Sequence, residues 1–145
     1  MSQNQPITIT KEYRWEMGHR LSTHTEGCQN LHGHSYRLVV ALTGTNNSDG
    51  MVFDFGDISR IVRPIIEHLD HSTMLHQDDQ PLVEFLQGQG MKLTLTPFHP
   101  TTEELGQWLL TQIADQIGTP ANIQDLSITL YETATSTVTL SRTLS

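Results

Sequence analysis

His32 and His34 have the residue type and the spacing that suit a metal ion. On an extended strand, side chains alternate between two faces and rise about 3.3 Å per residue, so these two imidazoles share one face about 6.6 Å apart. Two rings at that separation can lean toward one ion. A third ligand from a neighbouring element, with one open position, would complete a site for chemistry. The pair therefore predicts a metal site built on a strand.

The residues before this pair predict a strand that supplies the third ligand. Apolar and polar side chains alternate from residue 7 to residue 19, and His19 continues the apolar parity at the end of that run. The alternation resumes at His32 and runs to Leu42. If the two strands pair antiparallel, His19 leaves one strand where His32 and His34 enter the other. Three imidazoles and an open fourth position indicate a catalytic zinc site, although nickel, copper and iron also accept imidazole.

The single cysteine, Cys28, lies four residues before His32 in a polar loop. Three roles are compatible with that place: a small buried residue, a fourth ligand that closes a structural zinc site, or a free thiol that acts as a base or nucleophile. The spacing does not separate these roles. Because one cysteine cannot form an internal disulfide, we expect a reducing, cytoplasmic setting.

Three further places carry polar residues with chemical potential. Asp70 and His71 put a carboxylate beside an imidazole at a predicted helix end, as a helix cap or as a relay in which the carboxylate orients the ring. Glu132 shares the apolar parity of a late strand, so it reaches solvent at the strand end or is buried to meet a cationic or amide-like ligand. Thr102 and Glu103 are interpreted first as the start of a predicted helix and second as contacts to a ligand. Four histidines without a comparable pattern are interpreted as surface or structural: His24, His68, His76 and His99.

Hydrophobic periodicity predicts one α+β domain over residues 1–145, with helices packed on one face of an antiparallel sheet. The predicted order is β-β-α-(α-β)-α-β-β. After the first two strands come an extended segment 51–55, helix 57–69, a short helix 81–88, strand 91–96, a helix from 101 or 102 to 117, and strands 126–132 and 138–140. We expect Asp57 to cap the first helix and Pro64 to kink it or open its fourth turn.

The composition excludes several classes of function. The net charge is −8 with only eight lysines and arginines, which argues against a general nucleic-acid binder. Hydrophobic residues make up 36% and charged residues 17% of the chain, an ordinary globular balance. The sequence contains no run of 18 apolar residues and begins with a polar stretch, so we expect neither a membrane span nor a signal peptide.

Several motifs, taken together and in order, resemble the 6-pyruvoyl-tetrahydropterin synthase/6-carboxytetrahydropterin synthase family. They span residues 7–140, nearly the whole chain. Individually H-G-H is weak, whereas the ordered set is specific. The motifs are His19 after an apolar strand, Cys28-x-x-x-His32-Gly33-His34-Ser35-Tyr36, Val52-x-Asp54-Phe55, Leu69-Asp70-His71, Thr101-Thr102-Glu103 and Tyr131-Glu132-Thr133.

The resemblance implies a fold, an assembly and residue roles. The fold is the tunnelling fold, a four-stranded antiparallel sheet with helices on one side. The assembly is a homo-hexamer of two trimers that buries edge strands, with active sites at subunit interfaces. The implied roles are zinc ligands for His19, His32 and His34, the catalytic thiol for Cys28, proton relay for Asp70 and His71, the pterin anchor for Glu132, and pocket lining for Thr102 and Glu103.

The spacing between Cys28 and His32 indicates one branch of that family. Three intervening residues are similar to the 6-carboxytetrahydropterin synthases of the 7-deazaguanine (queuosine) route, whereas the pyruvoyl branch usually has five. The implied substrate is 7,8-dihydroneopterin triphosphate. The implied products are 6-carboxy-5,6,7,8-tetrahydropterin, acetaldehyde and triphosphate, with Arg14, Arg20 and Arg37 as candidate cations for the triphosphate.

Two alternatives stay open at this point. One is a pyruvoyl-type or related lyase that cleaves pterin side chains. The other is a non-catalytic, zinc-stabilised pterin-binding oligomer with Cys28 on the metal. The chain also departs from the family pattern in two places. Glu16-Met17-Gly18 stands where many members have small apolar residues, and segment 72–100 is longer.

Overall fold

The computed structural model describes residues 5–144, so the ends of the expected domain, residues 1–4 of the polar N-terminal stretch and residue 145, lie outside it. Within that range the chain forms three α-helices and one six-stranded sheet. The elements in chain order are β1 Ile7–His19, β2 His32–Gly44, α1 Phe55–Leu69, β3 Ser72–His76, α2 Leu82–Gly88, β4 Leu93–Thr96, α3 Thr102–Ile117, β5 Ile123–Thr133 and β6 Ser136–Thr143.

The sheet has the strand order β4-β3-β1-β2-β5-β6. Its strands β1, β2, β5 and β6 are antiparallel neighbours, whereas β3 runs parallel to β1 and β4 runs parallel to β3. The α+β class is confirmed, but the expectation of a four-stranded antiparallel sheet is wrong because six strands pair. The unpredicted strand, β3, is only five residues long. Such a short run carries too little periodicity to separate a strand from a loop, so its pairing with β1 and β4 decides its conformation.

Helices α1 and α3 cover one side of this sheet. Trp15 and Met17 of β1 and Leu38 of β2 point into the core on that side. They belong to one buried cluster with apolar residues of the helices, including Leu105 and Leu109 of α3, which are 1% and 0% exposed. We call this side of the sheet the helix face and the other side the open face. The predicted parity of β1 and β2 is therefore confirmed.

Helix α1 begins two residues earlier than predicted, and its cap is Asp54. The Asp54 carboxylate accepts a hydrogen bond from the Gly56 N–H at 2.6 Å, whereas Asp57 lies inside the first turn. The prediction of Asp57 as the cap is therefore wrong, and residues 51–55 form no strand. Asn122 donates to the Val52 carbonyl at 2.8 Å and so fixes the approach to the helix from a distant part of the chain. The sequence pattern around the two aspartates does not contain that contact.

Pro64 lies within α1, which continues to Leu69. The short helix α2, the strand β4 and the helix α3 agree with the predicted elements to within two residues. Thr101 is the residue that caps α3, since its hydroxyl accepts a hydrogen bond from the Glu104 N–H at 3.2 Å. This choice between the two expected threonines leaves the Thr102 side chain free for another contact.

The cap assignment predicts that Asp54→Ala and Asp57→Ala differ in stability. Removal of a capping carboxylate costs about 1 kcal/mol of unfolding free energy, so Asp54→Ala should lower it by that amount. At Asp57 the better helix propensity of alanine offsets the lost charge in the first turn, so we expect a change within about 0.5 kcal/mol. Urea unfolding of both variants at one protein concentration measures the difference. A larger loss for Asp57→Ala would contradict the assignment.

Candidate functional site

The pairing of β1 with β2 places His19 directly opposite His32 and Met17 opposite His34. The ligand nitrogens of the three histidines all lie within 4.8 Å of one another. His19 Nε2 and His32 Nε2 are 3.2 Å apart. The convergence expected from strand parity is therefore present at the end of the strand pair. Among the described residues, no second group of three His, Cys, Asp or Glu side chains meets in this way.

Two backbone carbonyls determine which nitrogens of the rings carry hydrogen. His19 Nδ1 lies 2.8 Å from the Pro100 oxygen, and His32 Nδ1 lies 2.6 Å from the Asn30 oxygen. A carbonyl only accepts, so both Nδ1 atoms must be protonated donors. In the neutral rings, both Nε2 atoms are then unprotonated, and each points its lone pair toward the other.

A cation removes the repulsion between these lone pairs. In tetrahedral zinc sites the metal–nitrogen distance is about 2.0–2.1 Å, which separates two ligand nitrogens by about 3.3 Å. The 3.2 Å separation between His19 Nε2 and His32 Nε2 is close to that value. His34 Nε2 is buried and has no hydrogen-bond partner within residues 5–144. The donor set therefore fits a metal ion, and three nitrogen ligands suit zinc.

The surroundings of His19 favour the neutral form that a metal requires. Its side chain is 2% exposed, and this burial lowers its pKa. The hydrogen bond to Pro100 and the negative charge of Glu132 raise the pKa by smaller amounts. Since protons compete with metals for imidazole, a lowered pKa widens the pH range in which His19 can act as a ligand.

Close strand contact and an aromatic floor hold the three rings in place. Gly18 and Gly33 face each other between the His19–His32 and Met17–His34 pairs, and a Cβ on Gly33 would lie 3.1 Å from the Met17 oxygen. Below them Trp15 and Tyr36 stack with ring centroids 5.2 Å apart. Both aromatic residues are 2% exposed, and burial raises the pKa of the Tyr36 phenol. A larger residue at Gly33 would push the strands apart at the site.

Glu132 and Thr102 form the other side of the site. Glu132 Oε1 lies 3.7 Å from His34 Nε2, and the Thr102 hydroxyl donates to Glu132 Oε2 at 2.6 Å. Glu103 is exposed and lines a cleft of about 230 Å³ together with Thr102 and Glu132. The three residues that we expected to contact substrate therefore share one cleft next to the histidines.

Cys28 lies in a single turn of 3₁₀-helix, Gly27–Gln29, between β1 and β2. Its side chain is half-buried, and its carbonyl accepts a hydrogen bond from the Leu21 N–H at 2.9 Å. This bond holds the turn near the end of β1, where His19 lies. Within residues 5–144 the thiol is not part of the group of ligand atoms that meet within 4.8 Å. The geometry therefore gives no support to Cys28 as a fourth ligand.

Asp70 and His71 form a carboxylate–imidazole pair, with 2.9 Å between Asp70 Oδ1 and His71 Nδ1. Two backbone contacts with Glu16 fix the pair: the Glu16 N–H donates to Asp70 Oδ1 at 2.9 Å, and the His71 N–H donates to the Glu16 oxygen at 2.7 Å. The bond from the Glu16 N–H is the main reason why the pKa of Asp70 is lowered, with smaller effects from His71 and Lys92. The carboxylate is thus kept ionised and able to orient the ring.

This pair opens onto the other side of the sheet from the three histidines. His71 lines a depression of about 410 Å³ together with Glu16, His34 and Ser35, and of these strand residues Glu16 and Ser35 have the parity of the open face. The Ser35 hydroxyl donates to the Glu16 carboxylate across this depression. Within the part of the chain that the structure describes, neither Cys28 nor Glu132 is a hydrogen-bond partner of the pair. Within one chain the histidines therefore lie next to Glu132, whereas no hydrogen bond among the described residues links the Asp70–His71 pair to them.

The three arginines considered for the triphosphate occupy different places. Arg14 is exposed near Glu12, and Arg37 stacks over the Tyr131 ring at 3.8 Å, both on the open face. Arg20 directly follows His19 and donates to the buried carboxylate of Asp79 at 2.9 Å in an ion pair. Of the histidines interpreted as structural, His76 and His99 stack with centroids 4.7 Å apart.

Sequence reasoning missed the groups that hold the predicted side chains. The Pro100 and Asn30 carbonyls, which orient His19 and His32, have no signature in a sequence because every residue carries a carbonyl. Lys92 donates to carbonyls at the end of α1, and its position in a strand-like run gave no indication of that contact. Only the tertiary structure brings these groups to the site.

A family model agrees with this arrangement. The model described as 6-pyruvoyl tetrahydropterin synthase matches residues 8–143. The chain belongs to this family. The resemblance seen in the ordered motifs is therefore confirmed, as is the expectation of an enzyme of this family.

Relatives with known names point to one branch of the family. A 6-carboxy-5,6,7,8-tetrahydropterin synthase of Rickettsia conorii is 36% identical over 131 residues, with 88% of this chain and 94% of that protein covered. The protein of the same name from Haemophilus influenzae is 33% identical over 136 residues, with the same coverage of both chains.

Two solved structures have a similar fold. The 6-pyruvoyl tetrahydropterin synthase of Plasmodium vivax superposes with a TM-score of 0.77 at 22% identity, covering 97% of this chain and 99% of that one. The protein WS1659 of Wolinella succinogenes gives a TM-score of 0.74 at 22% identity and covers 94% and 98%. At this identity the likeness establishes the fold alone. Across the described residues, the helices are too short or too polar to cross a membrane.

The site geometry predicts that each chain binds about one zinc ion through the three histidines. His34→Ala should remove most of the bound zinc, because two imidazoles and an open position hold the ion poorly. His68→Ala is the matched control, since His68 is exposed on α1. Equilibrium dialysis followed by elemental analysis measures the zinc content. Cys28→Ala should keep its zinc, and loss of zinc from that variant would make Cys28 a ligand.

Proposed function

We propose that this protein is a 6-carboxy-5,6,7,8-tetrahydropterin synthase of 7-deazaguanine (queuosine) biosynthesis, and hence a carbon–carbon lyase. It would convert 7,8-dihydroneopterin triphosphate and one water into 6-carboxy-5,6,7,8-tetrahydropterin, acetaldehyde and triphosphate. The observation that carries the proposal is the meeting of three histidine nitrogens within 4.8 Å, with Glu132 3.7 Å from one of them. The named relatives and the three residues between Cys28 and His32 support the carboxy-type product.

His19, His32 and His34 would hold a zinc ion. When bound, zinc supplies Lewis acidity that polarises the hydroxyl groups of the substrate side chain. The carbonyls of Pro100 and Asn30 contribute by keeping hydrogen on the Nδ1 atoms, which leaves the Nε2 lone pairs for the metal.

Glu132 would anchor the pterin ring. An ionised carboxylate only accepts hydrogen bonds, and the amino and ring N–H groups of a pterin are donors. Thr102 donates to Oε2 and so fixes the orientation of the carboxylate, while Oε1 faces His34. A ring held at Glu132 would present its side chain toward the three histidines, which is the alignment that the reaction needs.

Cys28 would act as the base that removes a proton from the substrate side chain, and Asp70 with His71 would exchange protons during the expulsion of triphosphate. The cleavage step then breaks one carbon–carbon bond by a retro-aldol reaction and releases acetaldehyde. The ionised Asp70 carboxylate, held by the Glu16 N–H, suits the task of orienting the His71 ring.

The position of the relay pair argues for an assembled site. Since Asp70 and His71 open onto the open face, a second copy of the chain would have to bring its pair to the histidines of the first. Two free strand edges are suited to this assembly. One is the edge of β1 before Met17, because β3 pairs only with residues Met17–His19 of that strand. The other is the edge of β6, which pairs only with β5 among the described strands. Because β1 and β6 run in opposite directions, a ring of copies can pair them antiparallel. We propose a homo-hexamer of two such trimeric rings.

The reaction itself tests the proposed function. Incubation of the zinc-loaded protein with 7,8-dihydroneopterin triphosphate should yield acetaldehyde and 6-carboxy-5,6,7,8-tetrahydropterin, detected by mass spectrometry. Cys28→Ala should retain zinc and lose turnover by at least about 100-fold, since it removes the proposed base. Formation of a pyruvoyl-pterin without acetaldehyde would show the alternative product. A zinc-bound protein that binds a pterin and leaves it unchanged would show a binding module.

Mixed rings test whether the site is shared between chains. Cys28→Ala and His71→Ala should each be inactive alone. After exchange of subunits in an equal mixture, roughly a quarter of the sites would contain both native residues if these come from neighbouring chains. Recovery of activity to about that fraction is the expected result, measured with the same product assay. A mixture as inactive as its components, with subunit exchange verified by native mass spectrometry, would place both residues in one chain.

A further inference from the structure

Segment 72–100 returns to the end of α1 at the start of β4. There the Lys92 carbonyl accepts a hydrogen bond from the Thr73 N–H at 3.0 Å, which fixes the Lys92 backbone next to β3. The Lys92 side chain then extends toward α1. Its Nζ donates to the carbonyl of Glu67 at 2.9 Å and to the carbonyl of Asp70 at 2.7 Å.

These two carbonyls lie where α1 ends and the chain turns into β3. The Asp70 N–H still donates to Ile66, but the last carbonyls of a helix have no partner within the helix. An ammonium group at this position satisfies them and interacts favourably with the negative end of the helix dipole. Lys92 and Glu16 therefore both bind the turn at Asp70 and His71: Lys92 through its ammonium group and Glu16 through its backbone.

The turn between Lys92 and Glu16 has a strained backbone. His71 has a φ of 61°, and it is the one non-glycine residue of positive φ within residues 5–144. This left-handed conformation is unfavourable for a residue with a side chain and persists only where surrounding contacts enforce it. Here the contacts are the His71 N–H bond to Glu16, at 2.7 Å, and the Lys92 bond to the adjoining Asp70 carbonyl. Loss of either would let the turn relax and the ring move.

We propose that Lys92 is a positioning residue, which holds the Asp70–His71 turn in the conformation that directs the imidazole out of the open face. The proposal rests on the proposed function, in which this imidazole serves the reaction. It also gives segment 72–100 a role, because Lys92 lies directly before β4. Lys92 does not touch substrate in this account and acts through the backbone of Asp70.

Kinetics provide the first test. Lys92→Met keeps the aliphatic chain and removes the donor, so kcat should fall roughly 10- to 100-fold through misplacement of the imidazole. KM should stay within about twofold, because Glu132 and Thr102 are untouched. Lys92→Arg, which can also donate to two carbonyls, should recover most of the activity. Arg60→Met is the matched control, since it removes an exposed cation from α1 outside the turn.

Hydrogen exchange provides a second test that does not depend on activity. In Lys92→Met, amides of the turn should exchange roughly tenfold faster in a peptide covering residues 66–76, while peptides from β2 and α3 keep their rates. Unchanged exchange at the turn together with kcat within twofold of the native enzyme would overturn the proposal, as would a uniform rise over all peptides. If the native protein shows no lyase activity, the proposed function fails, and the exchange data alone decide whether Lys92 holds the turn.

Discussion

The site depends on two imidazole nitrogens that face each other at 3.2 Å with their lone pairs. This arrangement is unfavourable without a cation, and the fold enforces it in two ways. The register of β1 and β2 puts His19 opposite His32, and backbone carbonyls on the far side of both rings keep hydrogen on Nδ1. A protein that holds ligands in this way before the metal arrives avoids the cost of ordering them on binding.

The sheet separates the polar side chains considered for the reaction into two groups, one on each face. The histidines, Glu132 and Thr102 lie on the helix face, where Trp15 and Tyr36 stack in the buried core beside them. The Asp70–His71 pair opens onto the opposite face, next to Glu16. Each side chain of a strand points to only one face of the sheet. Within a single chain, the groups on the helix face and the groups on the open face therefore stay apart. The proposed ring of chains would bring them together, and the free edges of β1 and β6 are compatible with such a ring.

Segment 72–100 extends the antiparallel strands by two parallel ones and contacts both halves of the site. Asp79, which is 6% exposed, pairs with Arg20, the residue directly after His19. At the other end of the segment, Lys92 binds the turn that carries His71. This segment therefore contacts both the end of β1 and the Asp70–His71 turn. The cause is the parallel pairing of β3 with β1, which brings the start of β4 back to the end of α1.

The sequence alone determined the half of this protein that follows from periodicity. A period of two fixed which side chains of β1 and β2 share a face, so the alternation pattern was sufficient to bring the three histidines together. The helices α2 and α3 followed from apolar spacing and caps in the same way, although the cap of α1 was misplaced by three residues.

What only the tertiary structure decided depends on contacts between distant residues. The strand β3, the carbonyls of Pro100 and Asn30, the hydrogen bonds of Lys92 and the face onto which His71 opens all lack a local signature. They arise because backbone groups far apart in the chain must find hydrogen-bond partners once the sheet has formed. The local side-chain pattern thus specified the three histidines, and the hydrogen bonds of the backbone specified how they and the Asp70–His71 pair are held.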